Sequence, residues 1–423
     1  MRLPTLPSLA LASLWNRRIS ALLTILAVAV SVFLYLGVGK LKSAAETSFN
    51  QTIHGTDLIV GARTSPVSLV LFSVFHIGNP SAAITWESFQ WLEEREDVDW
   101  AVPIALGDSH KGYRVIGTTG DFFDRYQFRG GQEVSFASGV AFDDLYDVVL
   151  GAKVAADLGY EIGSEITLSH GLGEVSFMEH DNRPFTVTGI LASTGTPVDK
   201  SVLVSLQAIE AIHVGWQSGA PSPIARMVTA DDVRKMDLTP DALAAVLVGL
   251  SERRTLLRTQ NSINTYREEA LVAAIPSQAI SEVWELVGIA GNALLIVSAF
   301  VIVVGLVSIL TSILSSLRER RREMAVLRAV GAGPGHIMGL LISEAIFLAA
   351  IGAAIGITLV YLASFIAGPI FENRFGIQIT VSAPGATDAY VFLTVCGLAG
   401  ILALFPAIGA MRSSLADGLS IKL

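Results

Sequence analysis

Four long uncharged runs divide the chain: residues 19–39, 286–317, 345–371 and 389–411. They hold 21, 32, 27 and 23 residues. A helix crosses the hydrocarbon layer of a bilayer with about 20 mainly apolar residues. Each run therefore predicts one membrane span. The second exceeds one crossing, so its ends should tilt or project into water.

Between the first and second runs the pattern shortens to that of a folded domain. Residues 85–95 (TWESFQWLEER) predict a helix with Thr85 as N-cap. Residues 113–118, 147–150, 165–169, 185–191 and 201–204 predict strands. Residues 148–160 (VVLGAKVAADLGY) read as strand, turn and short helix ending at Gly159, and 205–213 as a further helix. Residues 241–274 read as helical in character, and 276–286 as a helical lead into the second span. The domain would then stand on extensions of spans one and two. Residues 65–80 (SPVSLVLFSVFHIGNP) are too short to span. They form either a core strand or buried loop, or an exposed patch for lipid or an acylated ligand. Residues 4–16 form an inner surface helix, with Trp15 at headgroup level and Arg17 and Arg18 as anchors, or else extend the first span.

Charge orients the spans. Arg17 and Arg18 precede the first; Arg318, Arg320, Arg321, Arg322 and Arg328 lie between the second and third; Arg412 and Lys422 follow the fourth. Of lysines and arginines, residues 369–389 carry only Arg374. Basic segments stay in the cytoplasm, so the inserted domain lies outside. Residues 40–283 hold 18 Lys plus Arg against 31 Asp plus Glu, a net of −13; the remainder has 11 against 7, a net of +4. This balance excludes a nucleic-acid partner and suits basic inner segments facing anionic lipid. A cleaved leader is not expected, because the first run is about twice the usual 7–15 residue core.

The expected fold is an α-helical membrane protein with four transmembrane helices, plus an α+β extracytoplasmic domain inserted between helices 1 and 2. Residues 1–18 are a cytoplasmic amphipathic segment, 19–39 the first span, 40–283 the outer domain with stalk helices and 284–317 the second span. Residues 318–337 form a cytoplasmic loop, 338–368 the third span, 369–388 an external loop, 389–411 the fourth span and 412–423 a cytoplasmic tail.

Catalytic constellations are missing. The 423 residues contain no GxxxxGK[ST] phosphate loop, no HExxH and no GxSxG. The single cysteine, Cys396, falls in the fourth run, so no intrachain disulfide forms. Glu179, His180, Asp181 and His170 offer oxygen and nitrogen donors, but their spacing matches no standard site. No metal is expected, with His170 and His180 the weak candidates.

The densest charge lies in residues 317–336, LRERRREMAVLRAVGAGPGH, with five arginines and two glutamates. Such a segment either marks the cytoplasmic side against lipid headgroups or docks on a cytoplasmic partner through bidentate arginine pairs. Residues 319–356, ERRREMAVLRAVGAGPGHIMGLLISEAIFLAAIGAAIG, resemble the signature of FtsX/MacB-type ABC transporter permeases, the lipoprotein-release-like type VII class. Glu319, Arg320, Glu323, Leu327, Arg328, Ala329, Gly331, Ala332, Glu344, Gly352 and Gly356 fit that pattern. The stretch LALASLWNRRISALLTILAVAVSV resembles the family's start, and VVLGAKVAADLGYEIGSEITL with FTVTGIL its periplasmic core domain.

The resemblance implies a permease subunit in the bacterial inner membrane, acting as a homodimer or half of a heterodimer with two copies of a separate ABC ATPase. ATP and Mg would be bound by that partner, and no cofactor by this chain. Glu319, Arg320, Arg322, Glu323, Leu327, Arg328, Ala329, Gly331 and Ala332 would form the coupling segment. Gly352 and Gly356 form a small-xxx-small motif for close helix packing, with Glu344 in a structural role beside them. Membrane lipid and a periplasmic adaptor or substrate protein are further expected partners. Three functions remain open: mechanotransmission for export or extraction of an envelope substrate, a regulatory scaffold for a periplasmic enzyme, and a ligand sensor or metal-related component.

Overall fold

The structure, a computed structural model, describes residues 18–170, 184–214, 216–217, 220–221, 230–319, 332–375, 379 and 383–412. The chain divides into two compact units. One comprises Met1–Ala44, Gly288–Phe371 and Gln378–Leu423; the other comprises Ala45–Val287 and Glu372–Ile377.

Among the described residues the first unit consists of most of four helices, Arg18–Asn50, Pro276–Glu319, Pro334–Phe375 and Ala386–Arg412. Each is long and apolar enough to cross a membrane. Small side chains line the interior: Ala345, Ala349 and Ala353 on the third helix, Ala399, Ala403 and Ala407 on the fourth. Large apolar side chains point outward, as with Phe300, Phe365 and Phe405. Lipid tails are as apolar as leucine, so burial alone does not drive helices together; close backbone approach does. A Cβ placed on Gly352 would lie 2.7 Å from Val28 Cβ, and one on Gly356 2.6 Å from Ala29 O. The third helix therefore meets the first along glycines. Ser31 Oγ ties the first helix to the second by donating to Val301 O at 2.9 Å. Glu344 is buried.

The other unit is a mixed sheet with helices on both faces. Its main strands are β1 (Leu58–Ala62), β2 (Val98–His110), β3 (Tyr113–Thr118), β4 (Phe136–Gly139), β5 (Asp147–Leu150), β6 (Phe185–Leu191), β7 (Ser201–Ser205), β8 (Ala245–Leu250) and β9 (Leu271–Ala274). Their spatial order is β9-β1-β8-β2-β3-β7-β5-β6-β4. The β3/β7 and β5/β6 pairs are parallel and the others antiparallel. Alternate residues feed two cores: Leu58, Val60, Val202 and Val204 enter one, Ile59 and Leu203 the other. The helices Trp86–Glu93, Ala152–Leu158, Leu206–His213 and Leu256–Asn264 cover the first face. Pro66–Ser73, Asp121–Arg125 and the opening turns of the second long helix cover the second.

Local signals place the helices. The side chains of Thr85, Ser65 and Ser205 accept from Ser88 N, Ser68 N and Ala208 N, each satisfying an otherwise unpaired N–H of the first turn. Gly159 ends its helix at φ 69°.

Two expectations are corrected. Residues 241–274 are not helical throughout: they contain β8 and β9, with a helix only at Leu256–Asn264 besides a short 3-10 turn. All six residues of β8 are buried. A strand covered on both faces shows no alternation, and its continuous apolar run cannot be told from a buried helix by period alone. Residues 65–80 contain a short helix, Pro66–Ser73, rather than a strand. Leu69, Val70, Phe72, Val74 and Phe75 are buried and Ile77 is exposed, which leaves no continuous lipid-facing patch.

Candidate functional site: the ends of the long helices

The first long helix runs without interruption from Arg18 to Asn50, and its end is tied to the segment 126–129. Arg129 N donates to Gln51 O at 2.9 Å, and His54 N to Gln127 O at 2.7 Å. Tyr126 OH donates to Thr52 O at 2.7 Å. Burial raises the Tyr126 phenol above its ordinary pKa, so the hydroxyl keeps the proton it donates.

The second long helix leaves the sheet with one intervening residue. Strand β9 ends at Ala274 and the helix begins at Pro276. Proline has no N–H to leave unpaired in a first turn, and Gln278 N and Ala279 N close that turn on Ile275 O. Phe49 stacks on Phe75 with centroids 4.5 Å apart, and Trp284 meets Phe49 edge-on at 5.5 Å. Strands β1 and β9 are antiparallel neighbours, with Ile59 opposite Ala274. The chain thus enters and leaves the sheet on adjacent strands, and side chains from both leads share one aromatic cluster.

Within the helical unit, polar contacts join all four helices. Lys42 Nζ donates to Asn292 Oδ1 at 2.6 Å, and Lys40 Nζ lies 4.0 Å from the centre of the Tyr361 ring. Tyr361 OH donates to Asp388 Oδ2 at 2.6 Å, and Gly385 N reaches the same oxygen at 2.8 Å. Sequence reasoning missed this collar. Its one local signal was an acidic residue at the start of the fourth run.

Of the residues singled out in sequence, Arg320, Arg322, Glu323, Leu327, Arg328, Ala329 and Gly331 lie outside the described residues, as do Trp15, Arg17 and His180. Glu319 ends the second long helix and Ala332 precedes the third. Arg18 opens the first and is exposed. His170 lies in a two-residue strand, Ser169–His170, opposite Asp108. Among the described residues no cluster of three or more His, Cys, Asp or Glu could hold a metal ion. A serine–histidine pair exists, with Ser201 Oγ 3.1 Å from His76 Nδ1. Ser201 has no accessible surface, so no substrate reaches its hydroxyl.

Residues 21–246 match the MacB-like periplasmic core domain, and residues 295–415 the FtsX-like permease C-terminal domain. A pyoverdine export ATP-binding/permease protein, PvdT of Pseudomonas syringae pv. tomato, is 23% identical across 94% of this chain and 57% of its own length. A macrolide export ATP-binding/permease protein, MacB of Nitrobacter winogradskyi, is 23% identical across 92% and 57%. The lipoprotein-releasing system transmembrane protein LolC of Neisseria meningitidis serogroup B is 22% identical across 66% of each chain. The chain therefore spans little more than half the length of the first two relatives. It belongs to the FtsX/MacB family of ABC transporter permeases. As a family member with four apolar helices, it is a multi-pass protein of the bacterial inner membrane whose core domain is periplasmic.

Proposed function

We propose that this chain is a mechanotransmitting permease subunit. It couples ATP hydrolysis by a separate ABC ATPase to a conformational change of its periplasmic domain, and so exports or extracts an envelope substrate such as a lipoprotein, a peptide or an amphipathic drug. The observation that carries the reading is the continuity of the helices. One helix, Pro276–Glu319, contains the whole second apolar run, starts two residues after the last of β9 and ends at Glu319, inside the arginine-rich segment. A helix transmits displacement along its axis because each turn is hydrogen-bonded to the next.

In this reading residues 318–337 seat on the ATPase through Glu319, Arg320, Arg322, Glu323 and Arg328, with Leu327, Ala329, Gly331 and Ala332 shaping the turn. In the same reading ATP and Mg are bound by the ATPase partner; these 423 residues contain no phosphate loop. The permease works as a homodimer on two ATPase copies. The relatives are named for pyoverdine, macrolides and lipoproteins, so the substrate class stays broad. A regulatory role is the second reading: among the described residues the bundle interior is mostly alanine, valine, leucine and isoleucine, with few polar groups to line a path for cargo.

The test is co-purification of the full chain with its ATPase in lipid. Replacing Glu323 and Arg328 together by alanine should abolish complex formation and the ATPase stimulation the permease confers. Unchanged stimulation would sink the coupling role of this segment.

A further inference from the structure

Residues 372–375 follow the third apolar run, close the third long helix and group with the periplasmic domain. Arg129 Nη2 lies 3.4 Å from Glu372 Oε1, with 24% and 38% of the two side chains exposed. An ion pair this open is weak when its partners are free to wander. Here the backbone aims the arginine. Arg129 sits at φ 43°, and Gly130 and Gly131 follow at 78° and 103°. A residue with a Cβ is disfavoured in that region. Its N–H is engaged by Gln51 O at the end of the first long helix. Its guanidinium lies 5.9 Å from the Phe128 ring centre and packs directly on Gly195, where any Cβ would collide with Nη2. Gly195 is fixed in turn: its N–H and that of Thr194 donate to the Asp199 carboxylate, each at 2.8 Å. The arrangement presents one cation, from a strained position, to one carboxylate.

We propose that Arg129 is a positioning residue, an electrostatic latch that holds Glu372 and the helix end around it, residues 372–375, within the periplasmic unit. The N–H of the same residue donates to Gln51 O, one residue past the end of the first long helix.

The test is hydrogen–deuterium exchange on the full chain in lipid nanodiscs, following peptides that cover residues 370–383. At low salt, Glu372→Gln and Arg129→Asn should each speed exchange about two- to fivefold, the range expected for a partly exposed pair. Asparagine tolerates positive φ, so Arg129→Asn removes the charge without adding strain, and an unchanged melting midpoint would show that the domain stays folded. High salt should raise wild-type exchange to the level of the variants and leave the variants unmoved. The double exchange Arg129→Glu with Glu372→Arg should restore protection. Unaltered exchange in both single variants, or a double variant no better protected than either single one, would overturn the latch. The two proposals fail separately. If the latch variants lose protection while Glu323→Ala leaves ATPase stimulation intact, the latch stands and the coupling role falls. The reverse pattern removes the latch and keeps the coupling.

Discussion

At the residue scale, the periplasmic domain packs ionisable groups away from solvent. His76 is held at φ 56°, beside Ser201 and Arg114. Burial, and then the Arg114 charge, lower its pKa from 6.5 to about 3. His110 is lowered mainly by burial, with its ring nitrogens engaged by Thr167 O and Tyr160 OH. The His76 imidazole is neutral when folded and free to protonate when unfolded. The unfolded chain therefore binds more protons between about pH 3 and pH 6.5. Stability is full above pH 6.5 and falls as pH drops below it, by about 1.4 kcal/mol per pH unit for each such proton. The thermal midpoint of the domain should fall steeply from pH 7 to pH 4. His76→Asn, which tolerates the same backbone conformation, should flatten that fall. A pH profile unchanged in this variant would mean that His76 titrates normally.

At the scale of elements, the edge of the sheet shows why its last strand escaped sequence reading. Strand β9 pairs with β1 on one side. On its other side the backbone of Ala273 is met by side chains of the helix Leu256–Asn264. Ala273 N donates to Asn264 Oδ1 at 2.7 Å, and Gln260 Nε2 donates to Ala273 O at 3.0 Å. Two amide side chains thus stand in for a neighbouring strand and protect an edge that would otherwise pair with another chain. Asn264→Ala should cost about 1–3 kcal/mol, the penalty for a buried N–H left without its acceptor, and should promote aggregation on heating. Differential scanning of the purified protein reads both effects. Within the bundle, Gly356→Leu would press a side chain onto Ala29 O and Val32. It should cost about 1–3 kcal/mol and lower the melting midpoint in detergent. Gly409→Leu, at a position open on all sides, should leave it unchanged. The Gly352–Gly356 spacing was visible in sequence; the surface of Val28 and Val32 it fits was not, because it comes from another helix.

At the scale of the molecule, topology is the claim most exposed to test. Cys396 is the single cysteine, so a Cys396→Ala background accepts reporter thiols cleanly. Asp121→Cys should react with a membrane-impermeant maleimide from the periplasmic side of the inner membrane, and Arg321→Cys only once the cytoplasmic face is opened. The opposite pattern would invert the protein and take residues 318–337 away from the cytoplasmic partner proposed for them.

Hydropathy and the Lys/Arg count determined the four spans, their orientation and the inserted domain, because insertion into a bilayer depends on quantities summed over a local stretch of chain. Thr85 as N-cap fixed the start of the helix Trp86–Glu93 for the same reason, since a cap acts within one turn. The strand order, the adjacency of β1 to β9 and the meeting of Arg129 with Glu372, 243 residues apart, were decided only by the tertiary structure. Such pairings depend on which surfaces meet once distant segments pack, and the sequence carries that information in no single window.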